Sequence, residues 1–148
     1  MKFFEVKMPY QNLENGLYLV RQRSVKNGMQ IWHYGILDVG NKLGPIPAFT
    51  ASIEPLIVHQ TPPQVRADRL SETGHWEMEG KVDPSMEKSA ISRIKEALKN
   101  PDYDLFGHNC EHFARFVTTG VKESKQIQSV AWSCIGLVVM GWALSRRA

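Results

Sequence analysis

The dipeptide Asn27-Gly28 stands between two runs of strand-forming residues, 16–23 and 31–39. Asn-Gly between such runs is a hairpin signal, because the favoured two-residue turn needs positive φ at both central positions. The early part of the chain is thereby committed to a pair of adjacent antiparallel strands. Strand alternation puts Ile31, His33, Gly35 and Leu37 on one face of the second strand. His33 is therefore expected to project from a sheet, not from a loop.

Beyond the hairpin, residues 40–55 carry Gly40, Gly44, Pro45, Pro47 and Pro55 and read as a loop. A short apolar run over residues 56–59 ends in His59 and is stopped by Pro62-Pro63. Residues 76–82 alternate large and charged side chains, which predicts another strand. Asp83-Pro84 then opens a helix, with Asp83 as N-cap and Pro84 at the first position. Met86, Ala90, Ile91, Ile94, Ala97 and Leu98 follow helical spacing, and Asn100-Pro101 ends the run. A second helix is predicted over residues 109–119, with Gly120 as its stop.

That second helix holds the most reactive side chain. Cys110, Phe113, Ala114 and Val117 fall at i, i+3, i+4 and i+7 and share one face. Glu111 and Arg115 lie elsewhere and are spaced to pair. With Asn109 as cap, Cys110 sits in the first turn, where free N–H groups and the positive dipole end favour a thiolate. A cysteine so placed is expected to have a lowered pKa and to suit nucleophilic attack, with an imidazole as base. A lone cysteine on an apolar helical face is, in general, more often a small core residue.

The remaining composition narrows the field. With 148 residues the chain is long enough for one domain with a hydrophobic core. Its net charge of +3 owes two units to Arg146 and Arg147, which leaves +1 over residues 1–125. That is not the footprint of a nucleic-acid binder. Two cysteines, Cys110 and Cys134, do not make a disulfide framework. The opening residues show no long apolar stretch, so no secretory signal is read and a reducing, cytosol-facing compartment is expected.

Three short segments carry a family resemblance. Asn109-Cys110-Glu111-His112-Phe113, preceded by Tyr103-Asp104-Leu105-Phe106, resembles the cysteine box of the lecithin:retinol acyltransferase-like family. That family includes the H-Ras-like suppressors, also called phospholipase A and acyltransferases. His33-Tyr34-Gly35-Ile36 resembles its histidine strand, and Ile57-Val58-His59-Gln60-Thr61-Pro62-Pro63 resembles the segment that supplies its third polar residue. The order, histidine before cysteine, is similar to the circularly permuted branch of the NlpC/P60 thiol enzymes.

The resemblance implies an α+β fold of the permuted papain-like NlpC/P60 type, an antiparallel sheet packed on helices, plus a C-terminal hydrophobic helix. It implies that His33 deprotonates Cys110, that His59 orients His33, and that an acyl group passes from a phospholipid to the sulfur as a thioester. Water would then give phospholipase A activity, and an amine or alcohol would give acyl transfer. No cofactor and no metal is implied. His108-x-Cys110-x-His112 does not match the usual zinc spacings, and His112 reads as structural. A peptidase or amidase with the same Cys–His site stays open, as does a non-catalytic membrane-tethered protein similar to the viral H-box/NC proteins.

Residues 126–145 contain no charged side chain, a stretch of 20 positions, or roughly 30 Å as a helix. Trp132 and Trp142 are spaced to meet the two interfaces. Two parts are therefore expected: a catalytic domain over residues 1–125 and a membrane anchor over 126–148. The protein would be membrane-associated, with its catalytic domain facing the cytosol. The alternative for this segment is an ordinary core or partner-facing helix.

Overall fold

The structure, a computed structural model, describes residues 9–46, 54–61, 64–100 and 110–121. Among the described residues five strands and two α-helices follow one another: β1 (Gly16–Lys26), β2 (Met29–Val39), β3 (Leu56–Thr61), β4 (Gln64–Arg69), β5 (Glu77–Lys81), α1 (Pro84–Lys99) and α2 (Cys110–Thr119). The strands form a single sheet in the order β4-β3-β2-β1-β5. Every neighbouring pair is antiparallel. The protein is thus α+β.

The hairpin forms where the sequence predicts it. Asn27 and Gly28 take φ values of 52° and 76°, the pair of left-handed residues that a type I′ turn demands. So tight a turn carries pairing to Lys26↔Met29, and both strands run further toward the turn than 16–23 and 31–39. β4 is the element that hydropathy does not announce. In Gln64–Arg69 only Val65 and Ala67 are apolar, too few to stand out against four polar neighbours. It is an edge strand, and polar side chains there discourage pairing with a further chain.

The sheet has two apolar faces. On one, Leu17, Tyr34, Ile36, Leu56, Val58 and Val65 pack with Ala90, Ile94 and Ala97 of α1 and Phe113, Ala114 and Val117 of α2. On the other, Tyr18, Val20, Leu37 and Ile57 pack with Leu70 and Trp76. Trp76 immediately precedes β5 rather than opening it and is buried.

Both helices carry the punctuation expected of them. The Asp83 side chain accepts the Ser85 backbone N–H at 2.8 Å, and Pro84 occupies the first turn. Gly120, at φ 76°, donates its N–H to the Phe116 carbonyl at 2.8 Å and closes α2. Glu111 and Arg115 do pair, at 2.9 Å, although Glu111 is fully buried. Arg115 also reaches Glu79, which ties α2 to β5. Asn109, expected as the cap of α2, and the apolar segment 126–148 lie outside the described residues. Among the described residues no helix is long and apolar enough to cross a membrane.

Candidate active site

β2 and β3 bring the two histidines together. Their ladder pairs Gly35 with His59, so His33 stands two residues further along β2 on the same face as His59. His33 Nε2 lies 2.8 Å from His59 Nδ1, and His59 Nε2 lies 2.7 Å from Asp68 Oδ2 on β4. Arg66 donates to the other carboxylate oxygen of Asp68.

The chain of contacts assigns the protons. Hydrogen bonds from Arg66 and His59 outweigh the burial that would raise Asp68, and its carboxyl is held below its ordinary range. An ionised carboxylate only accepts, so His59 Nε2 carries the hydrogen toward Asp68. In neutral His59 the other nitrogen, Nδ1, is then an acceptor. His33 must donate from Nε2, which leaves His33 Nδ1 as its lone-pair nitrogen.

Trp76 forms the wall behind both rings. Its ring centroid lies 5.6 Å from that of His33 and 5.9 Å from that of His59. The indole N–H donates to Thr73 Oγ1 at 2.8 Å, which fixes its orientation. Gly35 makes room for the indole: a Cβ there would come within 3.1 Å of Trp76 and of Ile57. Burial, and then the nearby charge of His59, lowers His33 from its ordinary 6.5 to about 4. Burial likewise lowers His59, against the pull of Asp68.

Cys110, half-buried at the start of α2, approaches β2 beyond the end of the β2–β3 ladder, which stops at Gly35. Its thiol donates to the Trp32 carbonyl at 3.8 Å, and the Tyr34 N–H is directed at the sulfur. The sulfur thus contacts backbone groups on either side of His33. Cys110, His33 and His59 all line one cleft of about 380 Å³, together with Gln22, Ile31 and Gln60.

The thiol itself differs from expectation. Burial pushes the Cys110 thiol above its ordinary 9.0, and Glu111 adds to this, while backbone N–H groups of Tyr34, Glu111 and Cys110 pull the other way. The start of a helix favours a thiolate, as the sequence suggests, but desolvation of the sulfur outweighs it here. The resting pair is a neutral thiol and a neutral imidazole.

All three residues singled out in the sequence, Cys110, His33 and His59, meet in this cleft. His112 is buried in α2, and His75 is exposed. Asp68 is the member that sequence reasoning missed. Val65 and Ala67 alone do not announce β4, and the link of Asp68 to His59 arises from the β3–β4 register, which sets Arg66 opposite His59. Comparison with protein-family models, with curated proteins and with solved structures returns no match for this chain.

Proposed function

We propose that this chain is a thiol-dependent acyl-transfer enzyme of the lecithin:retinol acyltransferase-like kind, a phospholipase A and acyltransferase working through an acyl-Cys110 thioester. One observation carries the reading. A cysteine at a helix start shares a cleft with an imidazole whose second nitrogen is committed to a His59–Asp68 chain. A buried, oriented base lining the same cleft as a thiol is an arrangement suited to nucleophilic catalysis.

In the proposed reaction His33 Nδ1 takes the Cys110 proton as the sulfur attacks the ester carbonyl of a phospholipid acyl chain. His33 becomes imidazolium, stabilised through His59 by the negative charge of Asp68. Charge developing on the carbonyl oxygen needs N–H donors, and the start of α2 presents backbone N–H groups beside the Cys110 sulfur. The tetrahedral intermediate collapses, the C–O bond breaks, and His33 returns its proton to the leaving lysophospholipid oxygen. Water, an amine or an alcohol, deprotonated by His33, then attacks the thioester and regenerates the thiol.

The phospholipid assignment rests on the resemblance of the three motifs, and so does the finer placement of the fold as a permuted papain-like NlpC/P60 domain. The uncharged stretch 126–145 supports a membrane anchor that would keep the cytosol-facing domain against its lipid substrate. The test is a product profile. Purified full chain is incubated with phosphatidylcholine vesicles, and separately with a peptide library. Lysophosphatidylcholine and free or transferred acyl product are expected, lost in Cys110→Ala. Peptide cleavage without lipid turnover would assign the same site to amide hydrolysis and contradict the proposal.

A further inference from the structure

The β1–β2 hairpin outruns the sheet that holds it. β5 pairs with β1 only from Tyr18 to Arg21, and β3 pairs with β2 only from Gly35 to Asp38. From Gln22↔His33 out to Lys26↔Met29 the two strands pair with each other alone among the described residues. Five residue pairs at about 3.3 Å each make an arm roughly 16 Å long.

The end of this arm has an unusual surface. Val25 is 67% exposed and Met29 is 65% exposed, the two most exposed large apolar side chains of the described residues. The register places them on opposite faces, Val25 beside Gln30 and Met29 beside Lys26, so the tip is apolar on both sides. Its charge has one sign. Arg21, Arg23 and Lys26 lie between Gly16 and Leu37, and no acidic residue does. Arg21 is held by Glu77 and Glu79 of β5. Arg23 stacks on the Trp32 ring at 4.7 Å, and among the described residues neither it nor Lys26 forms an ion pair.

The arm is also one wall of the cleft. Ser24, Val25, Lys26 and Ile31 line the same cavity as His33, His59 and Cys110. Whatever surface the tip touches is therefore brought to the mouth of the site.

We propose that the tip of the β1–β2 arm, Val25 and Met29 flanked by Arg23 and Lys26, is a docking surface for an anionic phospholipid bilayer, seating the cleft at the headgroup layer. Apolar side chains enter the interface while cations meet anionic headgroups, which is how amphipathic segments bind membranes. The uniform positive sign complements an anionic bilayer, and the exposed apolar side chains on both faces of the tip suit insertion into it. The use of this contact rests on the acyl-transfer reading, but the contact itself needs no chemistry at Cys110.

The experiment uses full chain carrying Cys110→Ser and Cys134→Ser, with a nitroxide attached through Met29→Cys or, as reference, through Ser92→Cys on the exposed side of α1. Relaxation by oxygen and by a water-soluble nickel chelate is compared in vesicles of phosphatidylcholine with and without phosphatidylserine. The label at 29 is expected to lose nickel accessibility on vesicles with phosphatidylserine, and the lipid concentration giving half of that loss should be at least about fivefold higher without it, since each cation near an anionic surface is worth about that factor in binding. The label at 92 should stay accessible throughout. Equal nickel access at 29 and 92, or protection at 29 indifferent to phosphatidylserine, overturns the proposal. Protection at 29 already present without vesicles would mark a second copy of the chain on the arm and also overturns it. Because these proteins lack the thiol, loss of the docking surface would leave the catalytic reading standing, and a failure of lipid turnover would leave the docking result intact.

Discussion

At His33 burial and the adjacent His59 produce a base that stays unprotonated down to about pH 4. The Cys110 thiol opposite is pushed up. In the proposed reaction, proton transfer from sulfur to imidazole is thus uphill at rest and would be coupled to attack, which would place the weight of catalysis on the groups that stabilise imidazolium. Asp68 is the charge that does so, acting through His59. Asp68→Asn removes that charge and the reason for His59 to hold its proton on Nε2. Removing the carboxylate of a triad costs about 10⁴ in kcat. With one more imidazole interposed, the expected loss here is about 10², with KM little changed. A parallel fall in folding stability large enough to explain the loss, or an unaltered kcat, would remove Asp68 from the relay. From sequence alone the histidines and the cysteine could be found, because their neighbours form recognisable words. Asp68 could not, since its link to His59 exists only once β3 and β4 are in register.

The elements differ in how openly the chain announces them. The hairpin was readable because one dipeptide demands two positive φ values, and α1 because a cap, a proline and a helical stripe agree. β4 was not, since an edge strand keeps few apolar residues. Gly35 sits between these cases. The sequence shows a glycine on the face of His33, but its purpose emerges only from the packing of Trp76 against β2. A methyl at Gly35 meets the indole and Ile57 at 3.1 Å, with rigid groups on both sides. Gly35→Ala is expected to cost about 1–3 kcal/mol of stability, as overpacking does, and to shift the indole off both imidazoles. Chemical denaturation followed by Trp fluorescence checks the first effect. An alanine variant as stable as the parent would mean that the wall behind the histidines yields easily.

Across the molecule the buried histidines tie stability to pH. Both His33 and His59 are lowered when folded. At His33 the unfolded chain therefore binds a proton near 6.5 that the folded one refuses until about 4, and His59 shifts in the same direction. The associated stability is complete above about pH 6.5 and is lost as pH falls toward 4. Unfolding free energy is expected to decline through this window, and His33→Asn should flatten the decline. An identical slope in that variant would show that His33 titrates normally in the folded state. The helix face of the sheet, with α1 and α2 across it, is a conventional apolar core that patterning predicts. The second face is where the chain departs from that simplicity, burying two imidazoles beside a carboxylate at a cost in acid stability.

In the proposed reaction the Cys110 sulfur takes the acyl group and His33 is its base. Intact-mass spectrometry of the full chain, quenched in acid shortly after mixing with phosphatidylcholine, addresses it directly. One acyl mass localised to Cys110 is expected in the parent, none in Cys110→Ala, and formation slowed at least about 10²-fold in His33→Asn. An acyl mass that persists in Cys110→Ala, or one that forms at the parental rate without His33, would contradict the account.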